Sequence, residues 1–399
     1  MVASGQPADL TIINSCAVTR QAEAKTRAVI TAARRCSPYG KIAVVGCYAQ
    51  YRPEELRRLG TVELIVGNEA KFDLERRVRA LEEPGVASTT PEAAPASVFA
   101  PSGSIASGLL TRANLKIQDG CDFGCAYCII PLLRGPSQSR PADDVITEAC
   151  QLEAEGHHEI VLTGINLGSY RNRELDLTGL LLRLLNTTRT ARIRLSSIEP
   201  NLVGAELLRL MLNEPRICRH LHLPLQHAAD RMLRLMGRRY GAAEYQALTE
   251  KIKAIMPDCC LGADVLVGFP GETEADFAEL LAYVRVIPIN YLHVFRYSPR
   301  PGTAATRLRD TVTSTQKKRR VELLRQVSSQ KRREFNATFI GQTVSVLFEK
   351  SCGPDCYRGW SGNYLSVTGK SASNRINQIG AVRLTRIRGN DLEGDCCSD

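Results

Sequence analysis

Three cysteines stand in one short stretch, Cys121-Asp122-Phe123-Gly124-Cys125-Ala126-Tyr127-Cys128. The C-x3-C-x2-C spacing brings three thiolates to a single loop, and thiolates are the usual ligands of iron–sulfur clusters. A four-iron cube held by only three of them keeps one iron open, and an open position lets a metal take a substrate or cofactor. The competing chemistry is a structural zinc site, which is closed and needs a fourth ligand, usually from a second pair. No such pair is convincingly placed, since Cys352 and Cys356 fall in another predicted domain. Two further cysteines, Cys16 and Cys47, each follow a predicted strand. Neighbouring parallel strands lie about 4.8 Å apart, so these thiols can face one site beyond the sheet edge. The plainer alternative is two buried core cysteines.

The elements that must hold these residues alternate between strand and helix. Residues 9–14, 41–46 and 62–66 read as strands, with helices at 20–35 and near 53–59. That order predicts a parallel α/β domain over residues 1–82. Residues 83–109, rich in Pro, Ala, Ser and Gly, read as a flexible linker. Six β/α units follow over residues 110–312, with strands at 113–118, 159–163, 192–196, 220–224, 261–267 and 290–296. They fit a partial (β/α)6 barrel, and the three-cysteine loop then follows its first strand, at the end where such folds place their chemistry. A basic helix is predicted over 313–338, a small all-β barrel over 339–392 and a tail over 393–399. The fold class is α/β with that all-β module.

Composition narrows the class. The 399 residues carry 52 Lys and Arg against 42 Asp and Glu, a net charge of +10 that suits an anionic partner such as nucleic acid. No apolar run approaches the roughly 20 residues of a membrane span, and no signal peptide is visible, so the expectation is a cytoplasmic protein. Its 14 cysteines are then expected as reduced thiols.

The flanks of the cysteine loop carry a specific resemblance. Lys116-Ile117-Gln118-Asp119-Gly120-Cys121 before it, and Cys128-Ile129-Ile130-Pro131 after it, are similar to the radical S-adenosylmethionine methylthiotransferase family. So are Thr163-Gly164-Ile165-Asn166, Ser196-Ser197-Ile198-Glu199-Pro200, His222-Leu223-Pro224-Leu225-Gln226, Gly268-Phe269-Pro270-Gly271-Glu272-Thr273 and Tyr297-Ser298-Pro299-Arg300-Pro301-Gly302-Thr303, in the family's order. The resemblance implies that Cys121, Cys125 and Cys128 hold a [4Fe-4S] cluster whose open iron chelates S-adenosylmethionine, giving a 5′-deoxyadenosyl radical on reduction. It implies that Tyr127, Thr163, Gly164, Asn166, Ser197, Glu199 and Gln226 surround that cofactor, and that Cys16 and Cys47 serve a second, auxiliary [4Fe-4S] cluster. The C-terminal barrel resembles a TRAM RNA-binding module. With Lys317, Lys318, Arg319, Arg320, Lys331, Arg332 and Arg333 of the basic helix it is expected to contact tRNA phosphates, with Trp360 and Tyr364 as stacking or core residues.

The family's auxiliary cluster takes three cysteines. None of the fifteen residues before Cys16 is a cysteine, and Cys36 ends a predicted helix. The sequence is therefore expected to lack the family's first N-terminal segment. The implied reaction puts a methylthio group on C2 of threonylcarbamoyladenosine beside the tRNA anticodon, with isopentenyladenosine or a ribosomal-protein aspartate as alternative substrates. An electron donor such as flavodoxin or ferredoxin and a monomeric state go with it. The reading of another class is a non-catalytic iron–sulfur RNA-binding relative.

Overall fold

A computed structural model describes residues 5–68, 70–81 and 111–397. The predicted linker, 83–109, lies outside them. The chain divides into two compact bodies, each built from several stretches.

The first body combines the N-terminal residues with residues 120–136 and 298–306. Its sheet holds three parallel strands in chain order, β1 (Leu10–Ser15), β2 (Lys41–Gly46) and β3 (Leu64–Val66). The central strand is buried almost throughout, as its uninterrupted Ile-Ala-Val-Val run requires. Helix α1 (Arg20–Cys36) begins where the Thr19 hydroxyl accepts from the Ala22 amide, and it buries Ile30 on the sheet. Ile129 and Leu133, just beyond the cysteine loop, complete the core formed by Ile13, Val44, Tyr48 and Ile65. Each such side chain contributes about 1.5–3 kcal/mol on burial.

The second body contains six parallel strands, β4 (Ala113–Lys116), β5 (Glu159–Thr163), β6 (Arg192–Leu195), β7 (His220–His222), β8 (Cys260–Val267) and β9 (Tyr291–Arg296). They form two three-stranded sheets joined through the bridges Ile193–Ile217 and Ser197–His222. Among the described residues β4 pairs only with β5, and β9 only with β8, so the wall stays open between them. The first predicted barrel strand is shorter than expected. After Lys116 the chain turns, and Gln118–Asp119 pairs antiparallel with Gln138–Ser139. Outward residues such as Leu115, Leu162, Leu195, Leu221 and Val265 pack beneath the helices. The inward residues alternate with them and are mostly polar. Gly262 is one inward exception: a Cβ there would lie 2.1 Å from the Tyr291 ring.

Helix α2 (Ser314–Ala337) leads into a closed five-stranded barrel, Thr343 to Cys396. Its Trp360–Tyr364 hairpin meets the amino end of the six-stranded wall. Arg192 donates to the Trp360 carbonyl at 2.7 Å, Arg194 donates to the Ser361 and Gly362 carbonyls, and the Tyr364 ring stacks on His220 at 4.2 Å. Trp360 stacks on Tyr364 in turn. Of the two roles open to these rings, stacking or core, the contacts seen are internal packing, and both residues are half-buried. Among the described residues no helix is long and apolar enough to cross a membrane.

Candidate active site

In the first body the three-cysteine loop is held by its own backbone. The Cys121 amide donates to the Gly135 carbonyl at 3.1 Å, and the Cys128 amide to the Cys125 carbonyl at 3.0 Å. All three thiols are half-buried, and none is in a disulfide. Residues 298–306 brace the loop from the other side, where the Ala305 amide donates to the Ala126 carbonyl at 2.7 Å. Three half-buried thiols on one short loop supply the number and kind of donors that a [4Fe-4S] cluster with one open iron takes.

The same body carries Cys16 and Cys47. The register pairs Ser15 with Gly46, so the two cysteines leave adjacent strands at matched positions on one sheet edge. Cys16 is exposed, and its sulfur accepts from the Val18 amide at 3.4 Å. Cys47 is buried, with Asn68 Nδ2 and Arg134 Nη2 each 3.5 Å from its sulfur. Arg134 ends the helix Ile130–Arg134 that follows the cysteine loop, so one side chain ties the loop segment to the second thiol group. Arg300 is buried in the same body, paired with Glu23 and donating to the Ala17 carbonyl beside Cys16. Cys36 sits at the far end of α1, near the amino ends of the strands, with its thiol on the Gly5 carbonyl. The structure therefore keeps it away from Cys16 and Cys47, as the sequence reading expects.

In the second body the turn after β5 is built around Gln118. Its Oε1 accepts from the Ile165 and Asn166 amides at 2.8 and 2.9 Å. Gly164 lies so close to this amide that an added Cβ would stand 2.9 Å from Oε1. Gln118 itself escaped the sequence reading as a positioning residue, although it stands in the quoted motif. Asn166 is buried, donating to Ser169 Oγ and accepting from the Glu199 amide. Its side chain thus joins two strand ends. Thr163 and Ser197 are half-buried near those ends. Glu199 pairs with buried Arg238; burial pushes its carboxyl up, and Arg238 opposes the rise. Gln226 adopts φ +64°, a left-handed conformation uncommon outside glycine, while its amide and carbonyl bind β8. Residues held in such conformations cluster at functional sites. Tyr127, by contrast, belongs to the cysteine loop in the first body.

Deeper between the strands lies a network that sequence reasoning missed. His222 Nε2 meets Asp264 Oδ1 at 2.9 Å, His222 Nδ1 meets the Tyr291 hydroxyl at 3.2 Å, and that hydroxyl meets His220 Nε2 at 2.9 Å. His293 Nδ1 lies 3.5 Å from the same Asp264 oxygen. Burial works to raise the Asp264 carboxyl, but the two imidazoles outweigh it and bring it down to about 2. Burial, reinforced by Arg194, holds the His220 imidazole well below its usual value, so it stays neutral. Strand register joins these residues from three strands that are far apart in sequence.

The basic helix divides by face. Lys317, Arg320 and Lys331 are buried: Lys317 pairs with Asp310, Arg320 with Glu272 and Glu274, and Lys331 donates to the Ile287 carbonyl. Arg332 is half-buried and donates to the Tyr364 carbonyl. Of the seven basic residues expected to face a partner, only Lys318, Arg319 and Arg333 are exposed, joined by Arg325. An α-helix packed along its length necessarily turns some of every basic run inward. Cys218, Cys259 and Cys260 are buried, and burial pushes their thiols up, Cys218 to about 11.

Comparisons with known proteins bear on this arrangement. Residues 115–284 match the radical SAM superfamily, and residues 1–67 match an uncharacterized family, UPF0004. The chain is 33% identical over 94% of its length to a threonylcarbamoyladenosine tRNA methylthiotransferase MtaB of Thermotoga maritima, covering 86% of that protein. It is 33% identical over 98% of its length to a tRNA-2-methylthio-N(6)-dimethylallyladenosine synthase of Ruegeria pomeroyi, covering 91% of it. Among solved structures, the radical S-adenosylmethionine methyltransferase TsrM of Kitasatospora setae aligns with a TM-score of 0.53 at 15% identity, over 73% of this chain and 62% of that one, a likeness of fold alone. With its cysteine loop, its two domain matches and relatives a third identical across nearly its whole length, the chain belongs to the radical S-adenosylmethionine methylthiotransferase family.

Proposed function

We propose that this enzyme places a methylthio group on C2 of N6-threonylcarbamoyladenosine beside the anticodon of tRNA. The observation that carries the reading is that one body unites the three-cysteine loop with the sheet edge bearing Cys16 and Cys47. The relative from Thermotoga maritima, whose name specifies that base, favours this substrate. The cluster on Cys121, Cys125 and Cys128, with S-adenosylmethionine, supplies when bound the radical that an unactivated aromatic C–H demands. Cys16 and Cys47 would hold part of the auxiliary cluster that handles sulfur. Around them the chain's own residues do the positioning. Gln118 fixes the turn that carries Gly164 and Asn166. Arg134 donates to the Cys47 sulfur and so ties the helix after the cysteine loop to that thiol. Lys318, Arg319, Arg325 and Arg333 offer phosphate contacts that are blind to sequence. The target base must leave its stack to be reached.

The test is mass spectrometry of nucleosides from bulk tRNA of the source cell and of a deletion strain. The reading expects loss of 2-methylthio-threonylcarbamoyladenosine with accumulation of its unthiolated precursor. Loss of the isopentenyl product instead moves the substrate. An unchanged tRNA profile removes tRNA as the substrate.

A further inference from the structure

We infer that His293, oriented by Asp264, contacts the group carried on N6 of the target adenine and thereby selects which modified base is accepted. The inference rests on the functional reading above and extends it to a specificity residue.

Three inward side chains on neighbouring strands, His222 of β7, Asp264 of β8 and His293 of β9, bring their ligating atoms within 4.8 Å of one another. Their bonding is unequal. Both His222 nitrogens are spent, one on Asp264 and one on Tyr291. His293 directs Nδ1 toward Asp264 and leaves 54% of its side chain exposed. No hydrogen bond to its Nε2 is found among the described residues.

Position gives this group its partner. The amino end of the wall is stopped by the hairpin that stacks Tyr364 on His220. The side is open, because β4 and β9 each have one neighbour. His293 stands on β9, at that opening. A ligand entering from the side meets a polar nitrogen backed by a carboxylate.

The chemistry of that nitrogen discriminates. With Nδ1–H on Asp264, a neutral ring accepts at Nε2 from a hydroxyl or N–H, and a charged ring donates there to a carboxylate. A threonylcarbamoyl group offers a hydroxyl, a carboxylate and urea N–H groups; an isopentenyl group offers none. A site built to hydrogen-bond a substrate rejects the analogue lacking the group, because its own polar atom is left unpaired. A divalent cation could use the same three residues, but it would have to displace the 2.9 Å His222–Asp264 hydrogen bond.

The test uses the full chain, reconstituted without oxygen, and anticodon stem-loops carrying threonylcarbamoyladenosine, isopentenyladenosine or plain adenosine, with Kd read by fluorescence anisotropy. Wild type is expected to prefer the threonylcarbamoyl loop over the other two. His293→Phe is expected to weaken that loop by about 10–100-fold, the loss of one hydrogen bond to a charged group, and so to abolish the preference. His293→Gln, which still donates and accepts, is expected to recover part of it. Equal losses on all loops, or no loss, overturn the assignment. So does one extra equivalent of zinc or manganese, bound by wild type on titration and lost in His293→Phe, which would make the cluster a metal site. A wild type with no preference for the threonylcarbamoyl loop over plain adenosine overturns the functional reading itself, and is visible without any variant.

Discussion

Arg194, on an inner strand of the parallel wall, holds the main-chain carbonyl of Ser361 in the C-terminal barrel at 2.9 Å. The same guanidinium binds Glu159, which is wholly buried. Burial would raise the Glu159 carboxyl, yet Arg194, Arg192 and Arg112 together hold it low. Arg194→Met removes one of these cations and the clasp at once. It is expected to cost about 3 kcal/mol or more, since a buried charge loses a partner. Urea unfolding measures the loss, and faster proteolysis around residues 360–365 reports the freed hairpin. The pair Glu159→Gln with Arg194→Met is expected to be milder than Arg194→Met alone.

Crowding at Gly164 gives a sharper test of the turn proposed to hold the cofactor. Gly164→Ala sets a methyl group 2.9 Å from Gln118 Oε1 and 3.2 Å from Leu167. Overpacking of this kind costs about 1–3 kcal/mol. Gln118→Ala instead frees the Ile165 and Asn166 amides. Both variants are expected to weaken S-adenosylmethionine binding about tenfold or more, as each displaces the same turn from opposite causes. Equilibrium dialysis with the labelled cofactor is the measurement.

Iron analysis separates the two thiol groups. Cys125→Ser is expected to lower iron in the reconstituted chain by about four atoms, the content of one cube. Cys47→Ser is expected to leave the cluster on the three-cysteine loop intact. Mössbauer spectra of the two variants distinguish which centre is lost.

Acid should weaken the network between the strands. The Asp264 carboxyl sits near 2 when folded, against a usual 3.8. A carboxyl lowered on folding contributes stability that is complete above its unfolded value and is lost as pH falls through its folded value. The contribution is about 2 kcal/mol. Asp264→Asn should therefore be less stable than wild type at pH 6, and the gap should narrow as pH falls below about 4. Urea midpoints across that range decide it.

Salt dependence sorts the basic helix. Reversing exposed Lys318, Arg319 and Arg333 to Glu should weaken tRNA binding and flatten its salt dependence, by roughly 0.7–0.9 in the logarithmic slope per lost phosphate contact. Replacing buried Arg320 should lower stability, because Glu272 loses its partner.

Much of this was legible in the residues. Apolar runs and turn residues located the six inner strands to within about two residues, and the cysteine spacing named its own chemistry. Other features depend on which residues a neighbour covers. Lys317 and Lys318 are adjacent and identical in type, yet one is buried and one exposed, because a 3.6-residue period turns them to different faces. Trp360 and Tyr364 read equally well as base platforms or as packing, and only the fold brings the Tyr364 ring onto His220 and the Trp360 ring onto Tyr364. His222, Asp264 and His293 are separated by 42 and 29 residues, and only the register of three strands makes them neighbours.

The ion pair between Glu23 and Arg300 spans 277 positions. Its body also takes in the cysteine loop, so it is assembled from three distant stretches of one chain. On the ribosome, the N-terminal sheet emerges long before Arg300 has been translated. At about 5–20 residues per second, Glu23 waits on the order of 15–60 seconds for its partner. Throughout that interval the edge bearing Cys16 and Cys47 lacks its brace from residues 298–306. The N-terminal sheet must therefore persist on its own contacts until the last stretch docks.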